Sequence, residues 1–369
     1  ADELGPLGSA ALEVAYVPVE YDVEAWANKD WSIRVSFESP KLTKHYSVSF
    51  LVPAYNESRT VAETIKHLYE IDYDNVVEII AINDGSTDNT LDVLKNLLSI
   101  YKDKKTKLKI INKKNSGKAD SLNTALKYAL GEIVIVVDAD SYPAKDSLNK
   151  VLGHFDDSRV GCATGVCIAR NQNNFLERLQ GLEYRVIAFT RKLFEYIDSI
   201  YVIPGPLGVY RKKALQDIGG FDTKNMTEDI EATWHLLHNN WKISLSLDTH
   251  VSTTVPSSFK PWFNQRRRWT LGGLQCMQKY KSQIFRKNML GYFVVPFFAL
   301  GYLLGLVGLL IFVYLIGRRM ISSWLLTKYG ISVGVPVITM SELYITPNVL
   351  NYFGVVLFVL FLIFNFFVL

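Results

Sequence analysis

Five consecutive residues, Gln265-Arg266-Arg267-Arg268-Trp269, set an amide, a run of guanidiniums and an indole within little more than one helical turn. Arginine donates bidentate, charge-assisted hydrogen bonds to phosphate oxygens, and a Trp ring offers a flat apolar platform to the C–H face of a pyranose. A basic cluster beside an apolar stretch also attracts anionic lipid headgroups. What favours phosphate and sugar lies upstream. The apolar run Ile133-Val134-Ile135-Val136-Val137 leads directly into Asp138-Ala139-Asp140. Two carboxylates at the tip of a buried strand are costly unless a positive charge sits with them, and a divalent cation bridging a diphosphate meets that need. Carboxylate oxygens suit hard Mg2+ or Mn2+, which keep water and substrate phosphates as remaining ligands. One of the pair could cap a helix beginning near Pro143; a cap does not account for both.

Met226-Thr227-Glu228-Asp229-Ile230 stands immediately before a helical stretch containing Trp234. Thr227 with acids behind it is a sound helix cap. As chemistry, Asp229 is placed to take a proton from an attacking hydroxyl. Two further groups, Pro53-Ala54-Tyr55-Asn56-Glu57 and Asn83-Asp84-Gly85-Ser86-Thr87-Asp88, each follow an apolar run. Singly, each is a turn with an N-cap; together they form one pocket, with Tyr55 stacking on a base and Asp84 accepting from uracil or ribose. Gly117-Lys118 opens a helix whose N-terminal dipole and ammonium both attract a diphosphate. No GxGxxG or Walker pattern is present, which leaves a dinucleotide or P-loop site unsupported.

The elements that must position these groups alternate. Strands are expected at Val48 to Pro53, Glu78 to Asn83, Lys107 to Asn112, Ile133 to Asp138 and Gly161 to Ala169. Helices are expected at Ser58 to Tyr69, Thr90 to Tyr101, Lys118 to Leu130 and Asn174 to Tyr196, with another starting near Glu228. That succession predicts a mostly parallel sheet covered by helices, with ligands at the carboxyl ends of the strands. Charged residues make up 21% of the chain and hydrophobic ones 49%, with a mean hydropathy of +0.11, so apolar residues are concentrated somewhere. They gather at the C-terminal end. Met289 to Gly317 and Tyr352 to Leu369 contain no charged residue, and a hydrocarbon core needs about 20 apolar residues. Two transmembrane helices follow, at about 289–317 and 350–369, within a membrane region 286–369. A net charge of +4, without long basic tracts, argues for no nucleic acid partner. Cys162, Cys167 and Cys276 show no metal-type spacing, and the first two fall in a buried strand, so no disulfide framework is expected. Residues 1–45 read as an N-terminal extension without the succession of a signal peptide.

Taken in order, Pro-Ala-Tyr-Asn-Glu, Asn-Asp-Gly-Ser, Gly-Lys, Asp-Ala-Asp, Thr-Glu-Asp and Gln-Arg-Arg-Arg-Trp resemble the processive, membrane-bound family 2 glycosyltransferases. That group includes cellulose, chitin-oligomer, hyaluronan and poly-N-acetylglucosamine synthases. The resemblance covers roughly Ser47 to Tyr280. It implies an α/β GT-A fold over 46–285, a Rossmann-like mixed sheet with flanking helices, followed by the C-terminal transmembrane helices. It also implies a UDP-sugar donor, Mg2+ or Mn2+, and inversion at the anomeric carbon. Carried over, it puts Pro53, Tyr55, Glu57 and Asp84 near the nucleoside, and Lys118 and Asp138 near the diphosphate. Asp140 joins Asp138 on the metal, and Asp229 is the base. Gln265 and Arg268 hold the leaving group, while Trp269 and Glu228 meet the acceptor. Gly205-Pro206-Leu207-Gly208-Val209-Tyr210-Arg211 looks like hyaluronan synthases, whereas Ile230-Glu231 and the Trp269-to-Gly273 run look like poly-N-acetylglucosamine and cellulose synthases, which leaves the sugar open. The implied partners are a polysaccharide or lipid acceptor, membrane lipid, and a second copy or a partner membrane subunit. The implied location is the cell membrane with the catalytic domain in the cytoplasm. Two other readings stay open: single addition to a polyprenyl phosphate or other lipid, and a silent nucleotide-sugar-binding scaffold.

Overall fold

In the computed structural model, residues 39–286 and 288–333 are described, so the second expected span and most of the N-terminal extension lie outside the described residues. The chain divides into two compact units near residue 280: one holds residues up to Lys279 together with Lys287–Leu290, and the other the remainder.

The first unit is built on an eight-stranded sheet in the order β3-β2-β1-β4-β7-β6-β8-β5. Its first half is parallel. Strands β1 (Val48–Ala54), β2 (Val76–Asp84), β3 (Lys107–Lys113) and β4 (Ile133–Val136) are joined by helices α1 (Val61–Tyr69), α2 (Thr90–Ile100) and α3 (Lys118–Tyr128). Registers such as Leu51 with Ile80 and Phe50 with Ile135 align their carboxyl ends. β1, β2 and β4 are covered on both faces, which is why they are near-continuous apolar runs. Phe50, Ile79, Ile135, Ile65, Leu94 and Phe155 meet in the main core.

The second half departs from the mostly parallel sheet expected. β5 (Ser141–Pro143), β6 (Val160–Ala169), β7 (Gly208–Arg211) and β8 (Lys242–Thr253) pair antiparallel at β4–β7, β6–β7 and β5–β8, and parallel only at β6–β8. Three of these strands escape the sequence reading for physical reasons. β5 is three residues and β7 four, too short to show a period, and Ser244 and Ser246 of β8 are buried along with Ile243 and Leu245, so polarity there does not mark a solvent face. Flanking them are α4 (Ser147–Val151), α5 (Phe175–Glu195), α6 (Lys212–Asp217), α7 (Glu228–His238) and α8 (Phe259–Tyr280). The long α5 starts at a reciprocal cap: Glu177 N–H donates to Asn174 Oδ1 at 2.9 Å while Asn174 N–H donates to the Glu177 carboxylate at 3.3 Å. All three cysteines are free, Cys162 and Cys167 on β6 as expected.

The second unit contains all but the first residue of a π-helical turn, Leu290–Val294, and α9 (Val295–Val333). The stretch Leu290–Tyr329 has a mean hydropathy of 2.5 over its most apolar window, none of which is covered by protein. It is long and apolar enough to cross a membrane. The expected span 289–317 thus falls on a longer helix that continues through Arg318 and Arg319.

Candidate active site

The ends of β1 and β2 carry the first two motifs, and hydrogen bonds tie their loops into one wall. Asn56 N–H donates to Ser86 Oγ at 3.0 Å, Glu57 N–H to Thr90 Oγ1 at 2.8 Å, and Thr87 N–H to Asn56 Oδ1 at 2.8 Å. Tyr55 is 49% exposed. Pro53 is half-buried, and the Glu57 carboxylate accepts from the Thr60 hydroxyl. Asp84 is buried and engaged. Its Oδ1 accepts from Lys113 Nζ at 2.6 Å and from Ser116 N–H at 3.0 Å, and its Oδ2 from Gly117 N–H at 2.9 Å. It therefore shapes the loop that delivers Lys118, the first residue of α3, as expected from Gly117-Lys118.

Lys118 is the hub of the site. Its ammonium lies 2.6 Å from Asp138 Oδ1 and 2.9 Å from Glu228 Oε1, joining the tip of β4 to the first turn of α7. Burial works against its charge, yet Asp138, Glu228 and Asp229 hold its pKa above the usual lysine range. The backbone comes close at Gly205: a Cβ there would lie 2.7 Å from Lys118 Nζ and 3.0 Å from Asp138 Oδ2, so these charged ends would have to shift to admit one. Neither Asp138 nor Asp140 caps a helix. The next one, α4, has Asp146 at its N-cap position, without a side-chain bond. Asp140 is pushed up to about 6 by burial and by the charges of Asp138 and Glu57. Carboxylates crowded in this way fit a hard divalent cation. Among the described residues no three His, Cys, Asp or Glu side chains converge into a metal cage, so such an ion would complete its shell with phosphate and water oxygens.

Thr227 precedes α7, but its side chain does not cap it; the hydroxyl turns to Asn225. This removes the hydroxyl cap and leaves the acids of the first turn to favour the start of the helix. Burial raises the Asp229 carboxyl to about 6, with Glu228 adding to the effect and Lys118 opposing it. Burial also acts on Glu228, but there Lys118 prevails, with Arg268 adding to it, and holds its pKa below the usual range. Neighbouring carboxylates so divided, one kept ionised and one poised near neutrality, suit proton transfer at the second.

The Gln265–Trp269 segment lies on α8. That helix rests on α7 at Gly272, where a Cβ would come 1.9 Å from Thr227 Oγ1. Arg268 is exposed and within electrostatic reach of Glu228. Gln265 Oε1 is buried without a hydrogen-bond partner, and Trp269 is half-buried. The structure thus gathers Lys118, Asp138, Asp140, Glu228, Asp229 and Arg268, with Glu57 near enough to act on Asp140. Tyr55 stays exposed, and Asp84 works through the 113–117 loop. Sequence reasoning missed the face of α5. Arg191 on that helix has a buried Nε without a partner, and burial lowers its pKa while Asp229 and Tyr201 counteract. A single Arg in an amphipathic helix carries no motif that would have flagged it.

The sequence model of the family described as Glycosyl transferase family 2 matches residues 49–219. The match ends before Thr227. The poly-β-1,6-N-acetyl-D-glucosamine synthase of Staphylococcus epidermidis is 30% identical over 252 residues, which are 68% of this chain and 60% of that protein. The synthase of the same name from Staphylococcus aureus (strain COL) is 31% identical over 234 residues, 62% of this chain and 55% of that protein. The chain therefore spans less than two thirds of these curated relatives. Among solved structures, a mannosyltransferase from Pyrobaculum calidifontis in complex with GDP-Man and Mn2+ has a TM-score of 0.56 at 24% identity, covering 70% of this chain and 69% of that one. This likeness establishes the fold, a GT-A-type mixed sheet as expected from the sequence.

Proposed function

This chain belongs to glycosyl transferase family 2, and from that premise we propose that it transfers a sugar, with inversion, from a UDP-sugar to a growing β-linked polysaccharide at a membrane. UDP-N-acetylglucosamine is the favoured donor and UDP-glucose the alternative; the similarity to poly-β-1,6-N-acetyl-D-glucosamine synthases supports the first. The observation that carries the reading is Lys118 between Asp138 and Glu228, with the proton-accepting carboxyl of Asp229 beside them.

In the proposed reaction Asp229 accepts the proton of the acceptor hydroxyl as its oxygen attacks the anomeric carbon. A carboxyl poised near 6 is ionised at neutral pH and still basic enough for this role. The bond to the UDP oxygen breaks on the opposite face, and Lys118 and Arg268 neutralise the charge that builds on the diphosphate, with the Gln265 amide as a further polar contact. Asp138 and Asp140 would hold Mg2+ or Mn2+, which supplies additional charge neutralisation when bound. Tyr55 and Glu57 border the nucleoside, Pro53 supports that wall, and Asp84 fixes the loop before Lys118. Trp269 offers its ring to the acceptor, and Glu228 keeps Lys118 in place. The apolar helix from Leu290 supports a membrane location, with the catalytic unit on the cytoplasmic face where UDP-sugars are made.

Incubating the purified protein with radiolabelled UDP-N-acetylglucosamine or UDP-glucose and Mn2+ or Mg2+, then sizing the product, tests this. Polymer is expected. A product limited to one sugar on extracted lipid would replace polymerisation by single addition, and binding of donor without any product would leave a silent scaffold.

A further inference from the structure

Arg266 sits inside the Gln265–Trp269 segment, yet the transfer chemistry above does not use it. Its Nη2 donates to Glu183 Oε2 on α5 at 2.5 Å. Its guanidinium carbon stands 4.2 Å from the centre of the Trp269 ring, one turn farther along α8, and 5.8 Å from the Trp262 ring, one turn back. A planar cation held at its edge by a carboxylate lies over an indole with little freedom. Its side chain is 18% exposed and its Nε is buried without a partner, so the group is not free to swing out to a phosphate. The simplest account is that the ion pair docks α8 onto α5. Docking of α8 onto α7 and the segment before it, however, is served elsewhere along the same helix. Lys279 Nζ pairs with Asp222 at 2.7 Å and with Glu231 at 2.6 Å, Met226 N–H donates to Gln275 Oε1 at 2.9 Å, and Gly272 packs on Thr227. What Arg266 adds is a tie to α5 and, beyond what a tie alone calls for, a cation laid on one face of Trp269.

Resting on the reading of Trp269 as the acceptor platform, we propose that Arg266, aligned by Glu183, is the positioning residue of that platform. The guanidinium covers one face of the indole and fixes the ring, so that the opposite face is the one presented to the terminal sugar of a β-linked chain. α5 is thereby coupled to acceptor binding and not to donor binding. The arginines of the segment then divide the work: Arg268 faces the departing diphosphate, and Arg266 orients the neighbouring ring.

The test separates the Michaelis constants for the two substrates in the full chain, with UDP-N-acetylglucosamine as donor and a β-linked N-acetylglucosamine pentasaccharide as acceptor. Arg266→Met and Glu183→Gln are expected to raise the acceptor KM about fivefold to tenfold, a cation–π contact's share of binding, with the donor KM unchanged. Arg266→Lys, which keeps the charge but loses the flat stack, is expected to fall between. The exchange Glu183→Arg with Arg266→Glu restores an ion pair but sets a carboxylate against the indole, so the acceptor KM should stay high. An acceptor KM unmoved in Arg266→Met, or restored by the exchange, overturns the proposal in favour of plain docking. If Arg266→Met does not fold, Arg266→Lys and Glu183→Gln carry the same comparison. A wild-type protein that neither elongates nor binds the pentasaccharide in calorimetry overturns both this proposal and the platform it rests on. Normal elongation with unmoved KM values overturns this one alone.

Discussion

The parallel half of the sheet and the helical half that follows it hold their chemical groups in different ways. From β1 to β4 each motif sits on a loop a few residues long at the end of a buried strand, and main-chain groups fix it: Asp84 accepts from two backbone N–H groups, and the 53–60 and 83–90 loops bond to each other. In the region from α5 to α8 the groups ride on helices held by side-chain pairs: Glu183 with Arg266, Lys279 with Glu231 and with Asp222 in the loop before α7, and Glu228 with Lys118 back on α3. The first arrangement is set once the sheet forms. The second depends on a few partly exposed ion pairs and on close packing at Gly272, and it can shift without unfolding the domain. Under the proposed function, the parallel half grips the donor rigidly and the helical half presents the base, Arg268 and the acceptor platform.

If that division holds, the largest effect comes from the centre where the two halves meet. Asp229→Asn should lower kcat by about 10³-fold or more while donor binding, read by calorimetry with UDP, stays near wild type. Transfer by that variant at a normal rate would remove Asp229 from the role of base. The wild-type pH profile is a companion measurement. Because the carboxyl is raised to about 6 by burial and by Glu228, kcat/KM should be flat above that value and fall about tenfold per pH unit below it as the base is protonated. A limb centred near pH 4 would mean a solvated carboxylate and a different residue in control.

Next in size is Lys118→Met. Removing the ammonium leaves Asp138 and Glu228 facing each other without the cation between them, and the diphosphate loses one of its counter-charges. A fall of about 10²-fold in kcat is expected, accompanied by a weaker grip on UDP. An effect confined to kcat, with UDP affinity unmoved, would place Lys118 in the helical half's work alone.

Gly272→Ala breaks the packing of α8 on α7 without touching any group that meets substrate. The added Cβ would come 1.9 Å from Thr227 Oγ1, so α8 must move off Thr227 and carry Gln265, Arg268 and Trp269 with it. We expect kcat to fall about tenfold to thirtyfold, the scale of an approximately ångström-sized misplacement, with UDP affinity retained. Loss of UDP affinity of the same size would show that the two halves are not separable.

How much of this could be read from the chain follows the same division. Val48–Ala54, Val76–Asp84 and Ile133–Val136 announce themselves as apolar runs because both faces are covered; Asp84 ends the second of them, and Asp138 lies two residues past the third. The arrangement of Lys118, Asp138 and Glu228 brings together residues from three distant segments, and only the resemblance in motif order suggested that they meet. The antiparallel pairing of β4 with β7 was illegible because four residues show no period. Glu183 and Arg191 were equally hidden. On α5 they look like any charged positions of an amphipathic helix, and their partners lie on α8 or in the site itself. Trp269 stood out in the motif as a candidate platform, but the guanidinium over it did not, since i to i+3 proximity on a helix does not reveal which face a carboxylate will fix.

The smallest effect belongs to the parallel half, and it tests the rigidity claimed for it. Asp84→Asn is isosteric, yet it replaces one acceptor oxygen by an NH2 donor. Oδ1 now serves Lys113 and Ser116 N–H, and Oδ2 serves Gly117 N–H; whichever way the amide turns, at least one of these donors meets another donor. The loss amounts to about 1–1.5 kcal/mol, enough to loosen the 113–117 loop and the start of α3 but not to unfold a sheet held by its main chain. The donor KM should therefore rise about fivefold to tenfold, through Lys118 and the nucleoside wall, while the KM for an oligosaccharide acceptor stays at its wild-type value. Equal rises in both constants would mean that the loop before Lys118 also sets the position of α7 through Glu228, and the two halves would then be one mechanical unit instead of two.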